Sequence, residues 1–220
     1  YAGEIFVILG GSGCGKSTLL KHMIGLNPPL AGEIRLMGDR LFGVSQEERL
    51  RALRHFGVTY QSGALFGSMT LLENVCLPLE SFTDLPREAR CLVAEMKLEL
   101  VGLKEYACYF PSDISGGMKK RAAIARAMAL DPRILFLDEP SAGLDPVTSA
   151  GLDRLILHLR DTQGVTVVMV THELASIFAV ADRCVMLDKQ EQRLIATGSP
   201  AELREHSEHP AVRAFFNREG

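Results

Sequence analysis

The sequence predicts an α/β fold with an inserted helical subdomain, and three observations predict it. Short continuous apolar runs stand at residues 5–9, 134–137 and 165–170. Runs of that length, bounded by turn residues, are the pattern of strands buried on both faces of a parallel sheet. Helical stretches alternate with these runs toward both ends of the chain, and the middle, about residues 63–130, is mostly helical. That arrangement gives an α/β core at residues 1–62 and 131–205, a helical subdomain at 63–130 and a tail at 206–220.

The elements follow in order. Ile5-Phe6-Val7-Ile8-Leu9 ends in glycines and reads as the first buried strand, and residues 16–24 read as a helix. Ser45-Gln46-Glu47-Glu48 has the Ser-x-x-Glu pattern, in which the two side chains satisfy each other's backbone N–H groups; it opens a polar helix to about Arg54. Val58-Thr59-Tyr60 is a candidate strand, and Thr70-Leu71-Leu72-Glu73 repeats the capping pattern. Pro86 suits the first turn of a helix that runs to about Val101 and stops at Gly102. A further helix covers about 117–129. The run 134–137 is closed by Asp138-Glu139-Pro140, and Asp145-Pro146 caps a long helix ending near Gly164. Residues 183–187 and 193–196 read as edge strands, and a short helical tail follows.

Composition narrows the function. The 220 residues are 47% hydrophobic and 23% charged, with 24 Lys+Arg against 27 Asp+Glu, a net charge of −3. Disorder is excluded by the apolar content. A nucleic-acid partner is not expected, because phosphate neutralisation needs a basic excess. Cys14, Cys76, Cys91, Cys108 and Cys184 are odd in number and form no CxxC pair. A disulfide framework or zinc site is therefore a poor reading and a reducing compartment the better one. No apolar run approaches the ~18 residues of a membrane span. Tyr1-Ala2-Gly3-Glu4 has no basic n-region, no signal-peptide pattern and no initiator methionine. The sequence reads as a piece whose natural N-terminus lies upstream.

Gly10-Gly11-Ser12-Gly13-Cys14-Gly15-Lys16-Ser17, continued by Thr18, matches G-x-x-x-x-G-K-[ST] between a strand and a helix. Glycines let backbone N–H groups converge on an anion, and the helix N-terminus adds partial positive charge. Lys16 can reach the β- and γ-phosphates of a nucleotide, and Ser17 can ligate Mg²⁺. The fold is thereby a P-loop NTPase core. Cys14, although beside a helix N-terminus, reads as a loop residue without chemistry.

Asp138 and Glu139 follow a buried strand, and ligands of open α/β sheets bind at the carboxyl ends of strands. Asp138 is expected to hold Mg²⁺ and Glu139 to polarise the attacking water. His172 closes the third buried strand and can meet the γ-phosphate from the same edge. Gln61, after the strand at 58–60, can ligate Mg²⁺ and contact the water. Ser115-Gly116-Gly117 opens a helix that continues Lys119-Lys120-Arg121. This is either a second anion nest, closing on a partner chain's nucleotide, or an ordinary helix cap.

With these residues in place, the chain resembles the ATP-binding subunit of ABC transporters over nearly its whole length. The Walker A loop is residues 10–18, the Q-loop glutamine Gln61, the signature Ile114-Ser115-Gly116-Gly117-Met118, Walker B residues 134–139, the D-loop Ser141-Ala142-Gly143-Leu144-Asp145 and the switch histidine His172. The resemblance implies ATP and Mg²⁺ as cofactors, Glu139, His172, Gln61 and Lys16 as catalytic residues, and Ser17, Gln61 and Asp138 around the metal. It also implies a nucleotide-sandwich homodimer in which Ser115, Gly116, Gly117 and Asp145 reach the partner's nucleotide.

Met118 in place of the usual glutamine, the segment Tyr60-Gln61-Ser62-Gly63-Ala64-Leu65-Phe66 and the tail Pro210-Ala211-Val212-Arg213-Ala214-Phe215-Phe216-Asn217 resemble the lipid-handling branch, the maintenance-of-lipid-asymmetry (Mla) ATPases. That resemblance implies a motor for phospholipid or other lipid transport at the cytoplasmic face of the inner membrane. Its partners would be an integral membrane permease, a small regulatory subunit and lipid-carrier proteins. Phe66, Met69 and Leu71 are the expected permease contacts, and Met118 is expected at an interface. The family's upstream adenine-stacking aromatic is absent, since Tyr1 lies too close to Gly10. The alternatives are an importer of another small solute and a soluble non-transport ABC ATPase. A coiled-coil arm has no room between residues 18 and 114, and a two-headed chain would exceed 220 residues.

Overall fold

A computed structural model describes residues 1–217. Its strands are β1 (Ile5–Leu9), β2 (Arg35–Leu36), β3 (Asp39–Arg40), β4 (Phe56–Thr59), β5 (Ile134–Asp138), β6 (Thr166–Val170), β7 (Arg183–Asp188) and β8 (Arg193–Gly198). Its helices are α1 (Lys16–Met23), α2 (Gln46–Leu53), α3 (Leu71–Phe82), α4 (Arg87–Leu100), α5 (Gly116–Ala127), α6 (Pro146–Gln163), α7 (Leu174–Val180), α8 (Pro200–His206) and α9 (Pro210–Asn217). The last three residues of the tail expected at 206–220 lie outside the described residues.

Six strands form one sheet in the order β4-β5-β6-β1-β7-β8, parallel except for the antiparallel β7–β8 pair. The apolar runs are continuous because both faces are covered. Ile5, Val7, Leu9, Leu135, Leu137, Val167 and Met169 face one buried cluster, shared with residues of α3 to α7. Ile8, Phe136, Val168 and Val170 face the other, with Leu20 of α1 and Ala52 of α2. Successive residues of a strand point to opposite faces, so a run buried on both sides has no polar positions. Cys184 of β7 is fully buried, and burial pushes its thiol up to about 12, which makes it unreactive.

Both capping boxes read from the sequence form. Ser45 Oγ accepts from Glu48 N at 3.3 Å, and Ser45 N donates to Glu48 Oε2 at 2.9 Å. Thr70 and Glu73 repeat the arrangement at 3.2 and 2.7 Å. Each box satisfies two backbone donors that a helix end leaves open. α3 continues past Pro78 to Phe82 although proline removes one helical hydrogen bond, because Leu71, Val75 and Leu79 anchor its inner face.

Four expectations change. The strand at 183–187 is no edge: β7 lies between β1 and β8, and only β8 is at the margin. The strand expected at 58–60 begins at Phe56, which pairs with Ile134, and Tyr60 lies beyond its end. A two-residue hairpin, β2–β3, stands where no element was expected, and α7 and α8 add helices beyond the sequence reading.

Gly57 marks the closest approach of α5 to the sheet. A Cβ there would lie 2.0 Å from the carbonyl oxygen of Ala127. Because the obstacle is backbone, Gly57→Ala is expected to destabilise the protein by about 3 kcal/mol, the top of the usual range for overfilling a core. Urea unfolding should show a lower midpoint with an unchanged slope.

Candidate functional site

Sheet register brings the chemistry together. Ile8 of β1 and Asp138 of β5 both lie beside Val170 of β6. The three strands end at one edge and release there the loop from Gly10, the pair Asp138-Glu139, and Thr171-His172. This is the edge at which parallel α/β sheets hold ligands.

The loop at residues 10–15 is shaped by its glycines. At Gly10, φ is +144°, and a Cβ would stand 2.4 Å from the carbonyl oxygen of Leu187 and 2.5 Å from Cys14 Sγ. Gly15, at φ +102°, is the N-cap of α1 and offers no side-chain cap. The first N–H groups of α1 therefore remain open to an anion, and no acidic residue sits in its first turn. Lys16 Nζ donates to the carbonyl oxygens of Gly10 at 2.7 Å and Gly11 at 3.0 Å, which holds the ammonium over the loop. Gly11, Ser12, Gly13, Ser17 and Thr18 are exposed and Cys14 half-buried.

Opposite stand the carboxylates. Burial and the charge of Glu139 push the Asp138 carboxyl above its usual range, while Lys21, Lys16 and Lys120 oppose that rise. Asp138 Oδ1 is buried without a partner, as is Glu139 Oε2. Glu139 Oε1 accepts from His172 Nδ1 at 2.9 Å. The Glu139 side chain is 13% exposed and that of His172 62%, so the acid is largely buried while its partner stands at the surface. Glu139 has φ +47°, a left-handed conformation that costs a residue with a side chain about 1–3 kcal/mol. Its N–H donates to the Val170 carbonyl at 2.8 Å, and its own carbonyl accepts from Ala142 N at 3.2 Å. Orphaned buried oxygens on two consecutive acids fit a site for a hydrated divalent cation and a water.

Gln61 is exposed in a cavity of about 490 Å³ that Tyr60 and Asp138 also line. Its loop is fastened by three residues that the sequence reading did not place in the site. Lys120 Nζ donates to the carbonyl oxygens of Gln61 and, at 3.2 Å, Glu139. Arg126 donates to Ala64 O at 2.8 Å and Gly63 O at 3.0 Å. Asn74 is fully buried; its amide accepts from Phe66 N at 2.8 Å and donates to the carbonyls of Phe66, Met69 and Thr70 at 2.9–3.1 Å. A polar residue amid the apolar face of α3 was the available signal for Asn74.

Ser115 and Asp145 form a second group. Ser115 caps α5, accepting from Met118 N at 3.3 Å. Asp145 caps α6, accepting from Val147 N and Thr148 N at 3.0 Å and from the Thr148 hydroxyl, and the hydroxyl bond first, then the backbone bonds, lower its pKa. The two helix starts pack closely: a Cβ on Gly117 would stand 2.4 Å from Thr148 Cγ2, and one on Gly116 would stand 3.8 Å from Leu144 Cδ2. No hydrogen bond among the described residues joins Ser115, Gly116, Gly117 or Asp145 to Lys16, Asp138, Glu139 or His172. Met118, expected at an interface, packs half-buried against its own chain's core.

A groove of about 580 Å³ runs between α3 and α4, with Met69, Glu73, Arg87 and Arg90 on its walls. Phe66 is 54% exposed, but Leu71 is completely buried and is no contact residue, because the inner face of α3 needs it in the core. No described helix is long and apolar enough to cross a membrane.

Residues 1–142 match the family described as ABC transporter. The "Probable ribonucleotide transport ATP-binding protein mkl" of Mycobacterium leprae is 44% identical over 98% of this chain, which spans 61% of that relative's length. The "Intermembrane phospholipid transport system ATP-binding protein MlaF" of Escherichia coli K12 is 39% identical over 98% of this chain and 79% of its own length. Among solved structures, the ATP-binding cassette MJ0796, a dimer in a post-hydrolysis state bound to ADP and Pi, superposes with a TM-score of 0.80 at 31% identity, over 90% of this chain and 86% of that one. CbiO1 of Clostridium perfringens gives 0.83 at 27%, over 93% and 80%.

The Asn74 bonds predict a local consequence. Asn74→Ala leaves the Phe66 N–H and the Met69 carbonyl unpaired, at about 1–3 kcal/mol for each group that water cannot reach, while the Phe66 and Thr70 carbonyls keep the backbone donors Met69 N and residue 74 N. The variant should unfold at lower denaturant, and the Phe66 amide should exchange faster with deuterium than amides of β1.

Proposed function

The chain belongs to the ABC transporter family, and from that premise we propose that it is the ATP-binding, ATP-hydrolysing motor of a lipid transporter. The observation that carries the catalytic part is the Glu139–His172 hydrogen bond at the strand edge that also carries the phosphate loop. In this reading the N–H groups at residues 11–18 and the Lys16 ammonium bind the phosphates of ATP. Ser17, Asp138 and Gln61 would hold Mg²⁺, which when bound neutralises charge on the β- and γ-phosphates. Glu139 Oε2, without a hydrogen-bond partner among the described residues, accepts a hydrogen bond from water and orients it toward the γ-phosphorus. His172 fixes that carboxylate through Oε1.

Ser115, Gly116, Gly117 and Asp145 serve the nucleotide of a second copy. The dimeric state of MJ0796 with ADP and Pi supports that assignment. Residues 63–130 act as the helical subdomain, and the α3–α4 groove receives an integral membrane permease at the cytoplasmic face of the inner membrane. A small regulatory subunit and lipid carriers complete the assembly. Lipid is favoured as cargo by the likeness to MlaF, which covers more of its relative's length than does the likeness to mkl. The name of mkl supports a second reading, ribonucleotide transport.

Glu139→Gln should lower ATP turnover by about 100-fold or more, the usual scale for losing a general base, while ATP binding persists and ATP-bound dimers accumulate in sedimentation. Lys16→Ala should weaken binding itself, since its charge meets ground-state phosphates. Wild-type turnover by Glu139→Gln in a single-turnover assay removes Glu139 from the mechanism. Stimulation of the reconstituted transporter by phospholipid vesicles favours lipid; stimulation by ribonucleotides alone favours the second reading.

A further inference from the structure

We propose that Lys120 is a positioning residue: from α5 it locks the peptide groups of Gln61 and Glu139 together and so sets the hydrolytic geometry. The inference rests on the roles proposed above for those two residues. Lys120 Nζ reaches the carbonyl oxygens of both, across 59 and 19 residues of sequence. No other described side chain donates to either carbonyl. An ammonium has three donors on a compact head, so it can hold two oxygens from different loops at once.

The surroundings fit such a latch. Lys120 is half-buried, and burial lowers its pKa, while the carboxylates of Glu139, Asp138 and Glu173 favour its charge. The Glu139 carbonyl belongs to the residue held at φ +47°. Ala142 N and Lys120 Nζ both donate to its oxygen, at 3.2 Å each, so the ammonium adds a side-chain hold to a backbone one at the residue that carries the carboxylate. The Gln61 carbonyl lies inside the turn that Gly63 N closes onto Tyr60 O at 2.7 Å. Lys120 also lies five residues beyond Ser115, about 7.5 Å along the helix axis. The helix that Ser115 caps thus carries, little more than a turn further on, the side chain that holds the Gln61 and Glu139 loops.

The test uses the full chain in its dimeric, ATP-hydrolysing form, with Glu139→Gln as reference. Lys120→Met keeps length and removes every donor; Lys120→Gln keeps a neutral donor. Lys120→Met should lower kcat about 10- to 100-fold with the KM for ATP changed less than about threefold, the signature of an interaction used in the reaction rather than in binding. Lys120→Gln should recover at least about a third of the wild-type kcat. Thermal midpoints of both variants should match one another. If Glu139→Gln is inactive and Lys120→Met turns over within twofold of wild type, the Lys120 inference falls alone. A kcat loss matched by an equal rise in KM, or one that glutamine does not rescue, makes the residue merely structural and also overturns it. Normal turnover by Glu139→Gln overturns both readings.

Discussion

Parallel pairing of β6 with β1 on one side and β5 on the other is the constraint on which the rest depends. Because all three strands run the same way and are in register at Val170, whatever follows them emerges at one edge. The glycine loop, the acid pair and His172 are thus neighbours although residues 10 and 172 are far apart in sequence. Pairing of this kind requires both faces of the sheet to be covered, which the two buried clusters provide. The polar groups of the edge are the part of these strands left over once the interior has been filled.

Helix α5 is the second organising element. It sits so close to β4 that Gly57 has no room for a side chain, and it sends Lys120 and Arg126 to the loop that follows that strand. The same helix begins at Ser115, against the start of α6 at Thr148. One rigid rod therefore touches both groups of conspicuous residues, the one at the sheet edge and the one at the paired helix starts.

The parts legible in the sequence were those fixed by local rules. Glycines at 10, 13 and 15 announce a backbone that side chains would obstruct, and the capping boxes at Ser45 and Thr70 announce helix starts through contacts three residues long. Buried strands show as unbroken apolar runs. What stayed hidden depends on distant partners. β7 looks like β8 in composition, and only its pairing with β1 makes it interior. The hairpin at 35–40 has strands too short to carry a period. Lys120 reads as one more cation of a basic stretch until the fold places it between Gln61 and Glu139. Leu71 reads as a partner contact because it lies in the stretch from Gln61 to Glu73, whereas helix phase turns it fully inward.

Glu139 occupies a conformation in which glycine and asparagine are at ease and a glutamate is strained. Its Oε2, buried without a partner among the described residues, adds the desolvation of a polar oxygen. Thermodynamic robustness and the presence of this carboxylate therefore pull in opposite directions at a single position. A variant library sorted for heat resistance instead of turnover would enrich glycine or asparagine at 139, and its hardiest members would be those that had given up the acid.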